Sequence, residues 1–362
     1  MISEEFNIDY YSPYFMIKVD KEEYGIFDSS ISLQIVESLN TPSMLSFSID
    51  NSLKINNYSF KDVDIMLNSF KEGDEIESYI GYSNDYNKLK NPYFIGNIVG
   101  VSPNFSEGKF KLNIESYDHL HSLKKITPTS PDENKIYLEK GFDDIVKTII
   151  KRNGLTEGKI DSVPFKKVTT TQIPDYSDYD LLNYLANRLG YEFFLRNKEF
   201  SFRKPGDFKN KQEDLTLKWG ENLIDFSPRL STANIIKKLT VKGSTQDKLA
   251  KPVESTVSIE SNEIPDLDQK AEIIYTRPVE NEDEAKSLAE TLLFKHNSSF
   301  IEGTGECIGN PKLRPGINIK IQGIGEKFSG IYYVKNVTHS IGNGYKVSFG
   351  VRRGLSGNIR FD

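Results

Sequence analysis

The chain has 362 residues, which is more than one hydrophobic core usually organises, so two or more domains are expected. Its formal net charge of −6 comes from interspersed acidic and basic residues without a basic stripe, which argues against a nucleic-acid-binding protein. No apolar run approaches the roughly 18–20 residues of a membrane-spanning helix. The single cysteine, Cys307, excludes an internal disulfide.

Residues 1–118 show the alternation of apolar and polar side chains that is typical of strands, and they are predicted to form an N-terminal β-barrel. The predicted strands are Tyr14–Val19, Ile31–Val36, Met44–Ile49, Gly73–Tyr82, Phe94–Val101, and a run in which Phe110, Leu112 and Ile114 alternate.

Residues 119–212 are predicted to be an α/β insert of helices plus a hairpin. Phe142–Ile150 has the apolar spacing of an amphipathic helix and ends at Asn153-Gly154, a good C-terminal cap. A second helix is predicted from Ser177 to Gly190, followed by a hairpin about Asn197-Lys198. Two shorter segments precede these elements: a helical stretch at Tyr117–Leu123 and a linker at Thr127–Asn134.

The remaining residues return to a β pattern with one interruption. Residues 213–243 are predicted to be the first strands of a second β-barrel, and residues 311–362 are predicted to complete it. Residues 244–310 are predicted to be an insertion with a helix at 282–295, whose N-cap is Asn281 or an adjacent acidic residue. Its first part, 244–270, is polar and is predicted to be mobile or to face a partner.

The strands of the second barrel repeat a pattern of the first. Phe-x-Gly occurs as Phe94/Gly96 and as Phe328/Gly330. The spacing from Val101 to Gly108 equals that from Val337 to Gly344. We interpret the repetition as two copies of one β-module, although unrelated β-meanders also share glycine turns and alternation. The predicted fold class is mainly β (α+β), with two similar small antiparallel β-barrels and inserted α/β subdomains.

Histidines and arginines are the first candidates for a functional site. His119-x-His121 has a poor spacing for a metal pair, since helical positions i and i+2 face apart and no cysteine or third histidine lies nearby. His339 lies in a predicted strand and is interpreted as structural or as an inter-subunit or spike contact. Arg352-Arg353 is either a solvated strand end or a docking point for an acidic edge of a neighbouring subunit or spike.

The sequence carries no pattern for catalysis or cofactor binding. It lacks a nucleophile elbow, a phosphate loop, a His-Glu-x-x-His run and a lysozyme-like pair of carboxylates. Acidic pairs such as Asp143-Asp144 fall at predicted helix starts, where they interact favourably with the helix dipole. Gly323-Ile-Gly325 lacks the further glycine and the helix of a dinucleotide site. We therefore expect no enzymatic activity, no catalytic residues, no cofactor and no metal.

Several segments, in order along the chain, resemble one protein family. They are Met44–Asn51 (MLSFSIDN), Tyr117–Leu123 (YDHLHSL), Tyr179–Tyr191 (YDLLNYLANRLGY) and Phe328–His339 (FSGIYYVKNVTH), the last followed by Gly344–Gly354 (GYKVSFGVRRG). Together they resemble the phage late-control protein D family, the central hub of contractile-tail baseplates. Related hubs occur in R-type bacteriocins and in the N-terminal part of the valine-glycine repeat spike (VgrG) of type VI secretion. The resemblance covers most of the chain and is weakest from about 244 to 270.

The resemblance implies a structural central hub. In that family a homotrimer presents six near-equivalent barrels, so that a hexameric tail tube can be joined to a trimeric spike. Closed cyclic symmetry makes such an interface self-limiting. The implied partners are a tail tube or tube-initiator protein, a spike and other baseplate proteins, with no nucleic acid. Because the chain ends at Asp362, just after the second barrel, the spike is expected to be encoded separately.

The start of the chain bears on where the protein is made. Met1-Ile-Ser-Glu-Glu lacks a basic region followed by an apolar core, so no signal peptide is expected. We expect synthesis in the bacterial cytoplasm and assembly into the baseplate of a phage tail or injection particle.

A second hypothesis is a carbohydrate-binding or peptidoglycan-hydrolysing tail protein. In that case the tyrosine-rich strands would provide surfaces on which sugars stack. Glycan binding or peptidoglycan turnover by the isolated chain would favour this hypothesis over the hub.

Overall fold

The computed structural model describes most of the chain, with helices and strands distributed along its whole length. The described residues are 13–20, 22–25, 31–50, 60–82, 91–106, 109–125, 141–163, 177–206, 213–243, 253–264, 271–277, 279, 281–342 and 344–361. The predicted linker Thr127–Asn134 lies outside them, as do residues 244–252 and 265–270 of the predicted polar segment.

Strands predominate among the described elements, so the predicted mainly β class is confirmed. The helices are α1 Phe60–Ser69, α2 His119–Ser122, α3 Phe142–Arg152, α4 Asp178–Leu189 and α5 Glu282–Asn297. The strands of the N-terminal part are β1 Pro13–Val19, β2 Glu22–Gly25, β3 Ile31–Ser38, β4 Thr41–Asp50, β5 Glu75–Tyr82, β6 Phe94–Ser106 and β7 Lys109–Asp118. The insert contains β8 Thr156–Ile160, β9 Glu192–Arg196 and β10 Glu199–Arg203. The remaining strands are β11 Leu215–Lys218, β12 Leu223–Leu230, β13 Ile236–Gly243, β14 Glu254–Glu260, β15 Ala271–Arg277, β16 Ile301–Ile308, β17 Asn318–Gln322, β18 Gly330–Gly342, β19 Gly344–Arg353 and β20 Asn358–Phe361.

One 13-stranded sheet runs through both halves of the protein. Its order is β12-β16-β19-β18-β3-β4-β7-β6-β5-β1-β2, and β17 pairs with both β11 and β18. We call β3–β7 the N-terminal unit, and β12 with β16–β19 the C-terminal unit. The two units meet where β18 pairs antiparallel with β3, which we call the β3–β18 joint. Among the described residues the two units share one sheet, because β18 pairs with a strand of the other unit.

The two units have the same strand register, which confirms the predicted duplication. Residue 97 pairs with 75 and 117 in the first unit, just as 333 pairs with 318 and 352 in the second. Each long hairpin contains an irregularity at the matching place, between Ile98 and Gly100 in β6 and between Val334 and Asn336 in β18. Bulges interrupt a ladder at defined positions, so a shared bulge is a specific common feature.

Apolar residues on one face of each strand form the core. In β19, Tyr345, Val347, Phe349 and Val351 are buried, while Lys346 and Ser348 are exposed, as the alternation predicts. Gly96 of the first Phe-x-Gly motif lies against the neighbouring strand, and a Cβ atom there would lie 2.2 Å from the carbonyl oxygen of Tyr117. The glycine of that motif is therefore required by close strand packing.

The α/β insert forms as predicted between the two units. Helix α3 ends with Asn153 as its C-cap, and Gly154 follows with φ of 66°. Helix α4 begins with a capping box between Ser177 and Asp180, and Gly190 follows it in the left-handed conformation. The hairpin of β9 and β10 turns at Asn197, whose φ is 59°. Strand β8 has no counterpart among the predicted elements, and it extends this hairpin to three strands.

A separate four-stranded sheet of order β15-β13-β14-β20 packs against α5. Asn281 caps α5 as predicted, accepting a hydrogen bond from the Glu284 amide. The strand assignments around this sheet differ from the prediction. β13 was predicted in the second barrel but lies here, and β14 occupies residues predicted to be mobile or to face a partner. β16 was predicted in the insertion but pairs with β12 and β19 in the large sheet.

Helix α1 is a further correction, because residues 1–118 were predicted to be β throughout. Its residues Val63, Met66 and Leu67 pack against the main core at helical spacing. Helix α2 is shorter than predicted, since Tyr117 and Asp118 remain in β7 and Asp118 caps the helix. None of the described helices has the length and apolar character needed to cross a membrane.

Candidate functional site

A buried polar cluster lies at the β3–β18 joint. It contains Glu37 of β3, Tyr93 just before β6, Arg314 before β17, His339 of β18 and Tyr345 of β19. The joint places Glu37 and His339 on adjacent strands, because Val337 pairs with Glu37. The cluster therefore joins side chains from both units in the interior of the protein.

Glu37 is the acidic centre of this cluster. Its carboxylate accepts a hydrogen bond from the Tyr93 hydroxyl at 2.5 Å and one from the Arg314 guanidinium at 2.5 Å. Arg314 also donates to the Tyr93 carbonyl oxygen at 3.0 Å and lies over the Tyr93 ring. Burial raises the pKa of Glu37, but the Arg314 guanidinium outweighs burial, so the pKa lies below its ordinary value. The pair is thus ionised and held inside the protein.

His339 is fully buried, with partners for both of its ring nitrogens. Its Nε2 lies 2.9 Å from the Leu313 carbonyl oxygen, which can only accept, so Nε2 carries the proton. Nδ1 then accepts from the Tyr345 hydroxyl at 2.7 Å. Burial lowers the pKa of His339 to about 4, which agrees with a neutral ring. The interpretation of His339 as an inter-subunit or spike contact is therefore corrected, because the joint between the two units covers it.

Arg352 belongs to a second buried cluster, between the insert and the C-terminal unit. Its guanidinium lies 4.0 Å from the Glu192 carboxylate, and Arg203 approaches the same carboxylate at 3.4 Å. The Tyr333 hydroxyl donates to Glu192 as well. Burial raises the pKa of Glu192, and the tyrosine hydrogen bond and both arginines oppose that shift. Arg352 thus contributes mainly to holding the insert against the sheet.

Arg353 contacts the loop before β18. Its guanidinium donates to the carbonyl oxygens of Ser329 at 3.1 Å and Lys327 at 2.7 Å, and it lies over the Tyr332 ring. These contacts leave Arg353 half-buried. Docking of Arg352-Arg353 onto an acidic edge stays a prediction.

The histidines near α2 have different neighbours from each other. His119 lies 3.8 Å from the Glu75 carboxylate, whereas His121 stacks on the Tyr117 ring at 4.6 Å between centroids. Among the described residues no group of three or more metal-binding side chains occurs. Cys307 is fully buried, and burial raises the pKa of its thiol to about 12. A thiol in that environment is a packing group rather than a nucleophile.

Most tyrosines of the described strands point into the protein. The buried tyrosines are Tyr14, Tyr79, Tyr82, Tyr93, Tyr191, Tyr332, Tyr333 and Tyr345. Sugar stacking needs exposed aromatic faces, and these rings are covered by their own chain. Their hydroxyls bond internally, as Tyr82 does to the Gly309 carbonyl oxygen at 2.7 Å. The strands thus do not provide the stacking surface that the carbohydrate hypothesis requires at these positions.

The sequence matches a family model described as the Alg8 N-terminal domain over residues 29–343. The chain belongs to that family. No curated protein matches the sequence.

Solved structures of phage tail proteins have a similar fold. The 43 kDa tail protein of prophage MuSo2 from Shewanella oneidensis has a TM-score of 0.68 and 14% identity, covering 94% of this chain and 98% of that one. A tail protein from Neisseria meningitidis MC58 has a TM-score of 0.66 and 12% identity, covering 95% and 97%. An E. coli component of the type VI secretion system has a TM-score of 0.53 and 13% identity, covering 94% and 77%. The chain therefore has the fold of these tail and type VI secretion proteins.

His339 was a candidate from the sequence, whereas the other members of its cluster, among them Glu37, Tyr93 and Arg314, were not. An available signal was the position of Arg314 between Leu313 and the Pro315-Gly316 turn, since an arginine that is buried there needs a carboxylate partner.

Proposed function

We propose that the protein is the structural central hub of a contractile tail or injection-system baseplate. Three chains form a ring with pseudo-six-fold symmetry, which joins a hexameric tail tube to a trimeric spike. The observation that carries the proposal is the matching register of two units set side by side in one sheet. Each chain then offers two equivalent surfaces, so three chains offer six.

The tail-protein fold supports this role, as does the character of the buried sites. The clusters around Glu37 and Glu192 hold elements of the chain together, with their acidic groups already paired to arginines. Such clusters favour a mechanical part over an enzyme, and we propose that the protein has no enzymatic activity. Peptidoglycan hydrolysis by the purified chain would contradict this.

The proposed partners are a tail tube or tube-initiator protein, a separately encoded spike and other baseplate proteins. The proposed place of assembly is a phage tail or injection-particle baseplate, following synthesis in the bacterial cytoplasm. A trimer is proposed because a hexameric tube and a trimeric spike differ in symmetry, and a doubled unit in each chain accommodates that difference.

Size-exclusion chromatography with light scattering tests the proposal. We expect the mass of three chains, and negative-stain images with a three-fold ring around a central hole. A chain that stays monomeric at every concentration, even after tube and spike proteins are added, would overturn it.

A further inference from the structure

Among the open strand edges in the described part of the large sheet are the second half of β6 and the outer side of β12. Strand β6 pairs with β5 through residues 94–97, but its second half, 100–106, pairs on one side with β7 and on the other with no described strand. Strand β12 pairs with β16, and its residues 225–230 have no described strand on the other side. Exposed apolar side chains mark both edges, since Phe105 is 66% exposed and Ile224 is 42% exposed. Long open edges with apolar side chains are sites where another strand adds.

The corresponding half of β18 is not open. Residues 336–341 of β18 pair with β3, and this pairing is the β3–β18 joint. Strand β12 occupies in the C-terminal unit the place that β3 occupies in the N-terminal unit, because each pairs with the strand next to the long hairpin. The partner that β6 lacks within the chain is therefore a strand equivalent to β3, and β12 of a second copy is such a strand.

We propose that β12 of a second copy pairs antiparallel with residues 100–106 of β6, in the register of the β3–β18 joint. The inference rests on the proposed ring, in which the same contact recurs between successive chains. The register follows from matching Thr338 to Ser102 and Val36 to Arg229 through the equivalent ladders. The resulting pairs are Val101 with Leu230, Ser102 with Arg229, Pro103 with Pro228, Asn104 with Ser227, and Phe105 with Phe226.

The chemistry of these pairs fits the register. On the core face, Val101 meets Leu230 and Phe105 meets Phe226, so apolar side chains cover one another. Phe226 and Leu230 already pack against the main core while staying partly exposed. On the other face Ser102 and Asn104 meet Arg229 and Ser227, which are polar. A slip of one residue would turn each apolar set to the wrong face, so the pattern specifies this register.

The two facing prolines also fit. The amide of Ser231 donates to the Phe300 carbonyl oxygen at 3.0 Å, so by alternation Pro228 directs its backbone nitrogen outward, toward the open edge. The equivalent pair in the β3–β18 joint, His339 with Ile35, has two N–H groups, whereas Pro103 and Pro228 have none. If Pro103 and Pro228 lie opposite each other, this residue pair lacks both of its backbone hydrogen bonds. Neither residue then has an N–H group that is left without an acceptor. On each edge alone, the proline discourages pairing with other strands.

Disulfide trapping tests the register. Residues directly opposite in such a ladder have Cβ atoms about 4.5–5.5 Å apart, which small movements bring to disulfide distance. The test variant is Ser102→Cys with Arg229→Cys, and the native Cys307 is buried and leaves the background clear. The matched control is Ser102→Cys with Asp225→Cys, which is displaced by four residues, or roughly 13 Å along the strand. A mixture of the two single variants, Ser102→Cys and Arg229→Cys, checks that the link joins different chains.

We expect the test variant to form linked dimers and trimers under mild oxidation, at least tenfold faster than the control. The mixture of single variants should give linked dimers only. A protein with the mass of three chains but no preferred link in the test variant would overturn this interface, while leaving the trimeric hub intact. A chain that stays monomeric with tube and spike proteins present would overturn the interface and the hub together.

Discussion

Strands β6 and β18 are equivalent in register, yet their second halves have different surroundings. In β18 the side chains of Val337, His339 and Ile341 are buried by β3. In β6 the equivalent half carries Pro103 and Phe105 and is exposed. The same backbone arrangement therefore forms an internal joint in β18 and an open edge in β6. The side chains of the two strands account for the difference. The joint has an ion pair and a buried histidine, whereas the edge has prolines that remove hydrogen-bond donors.

The largest expected effect comes from removing the ion pair between Arg314 and Glu37 at the joint. We expect Arg314→Met to lower the free energy of unfolding by about 3–5 kcal/mol, because Glu37 would stay buried without its counter-charge. Urea unfolding followed by circular dichroism measures the change. Lys346→Met is the control: it removes the exposed pair with Glu306, and exposed pairs contribute about 0–1 kcal/mol. Equal losses in the two variants would contradict the assigned role of Glu37.

A second pair of variants compares the equivalent positions directly. Ile341 is 4% exposed in the joint, and Ile341→Ala should cost about 2–5 kcal/mol through lost burial and a cavity. Phe105→Ala on the open edge removes the ring contact with Phe110 and should change the stability of the dilute monomer by less than about 1.5 kcal/mol. The same urea experiment measures both. Comparable losses would mean that Phe105 is already covered within a single chain.

The buried histidine makes the joint sensitive to acid. Burial lowers the pKa of His339 from 6.5 to about 4, so the folded protein favours the neutral ring. The unfolded chain binds the proton more readily, and stability is therefore lost as the pH falls from 6.5 toward 4. The full loss is about 3 kcal/mol. Glu37, Arg314, Tyr93 and Tyr345 surround the ring.

Measuring stability at several pH values in the native chain and in His339→Gln isolates this effect. Asp118 titrates in the opposite sense, since burial raises its pKa to about 7, and the subtraction removes its contribution. We expect the difference between the two proteins to shrink by about 3 kcal/mol between pH 7 and pH 4. A difference that is constant with pH would show that the ring titrates normally.

The smallest expected effects come from substituting two glycines of β6, one in its paired half and one in its open half. Gly96 lies in the paired half, where a Cβ would clash with the Tyr117 carbonyl oxygen, so Gly96→Ala should cost about 1–3 kcal/mol. Gly100 begins the open half, and its nearest contacts to an added Cβ would be at 3.7 Å. Gly100→Ala should therefore change stability by less than about 0.5 kcal/mol, as judged from thermal unfolding. A larger loss for Gly100 would place a close neighbour beside the open half.

Local signals in the sequence predicted the elements that local chemistry determines. The caps at Ser177 and Gly190 set the limits of α4, and the alternation of β19 gave its buried face. Helix α1 was missed because its apolar spacing is short and lies among strands. The spacing from Val101 to Gly108 is the same as that from Val337 to Gly344, and it predicted the duplication. Glycines and bulges determine strand register together with the side-chain pattern.

Contacts between distant parts of the chain could not be predicted in this way. Arg314 and Glu37 are separated by 277 residues, so no local pattern indicates that they meet. The sheets of β13 and β16 were assigned wrongly for the same reason, because alternation predicts a strand but not the strands that it pairs with. His339 was therefore noticed as a histidine in a strand, while its place in the joint depended on β3.

The joint also has a consequence for biosynthesis. Strand β3 is synthesised early, and its partner β18 follows roughly 300 residues later, which at about 5–20 residues per second is a delay of about 15–60 s. During that interval β3 of the nascent chain lacks its partner strand, so its edge is open to pairing with another chain. We expect this interval to leave each nascent chain open to mispairing with its neighbours on the same messenger RNA until its own residues of β18 are made.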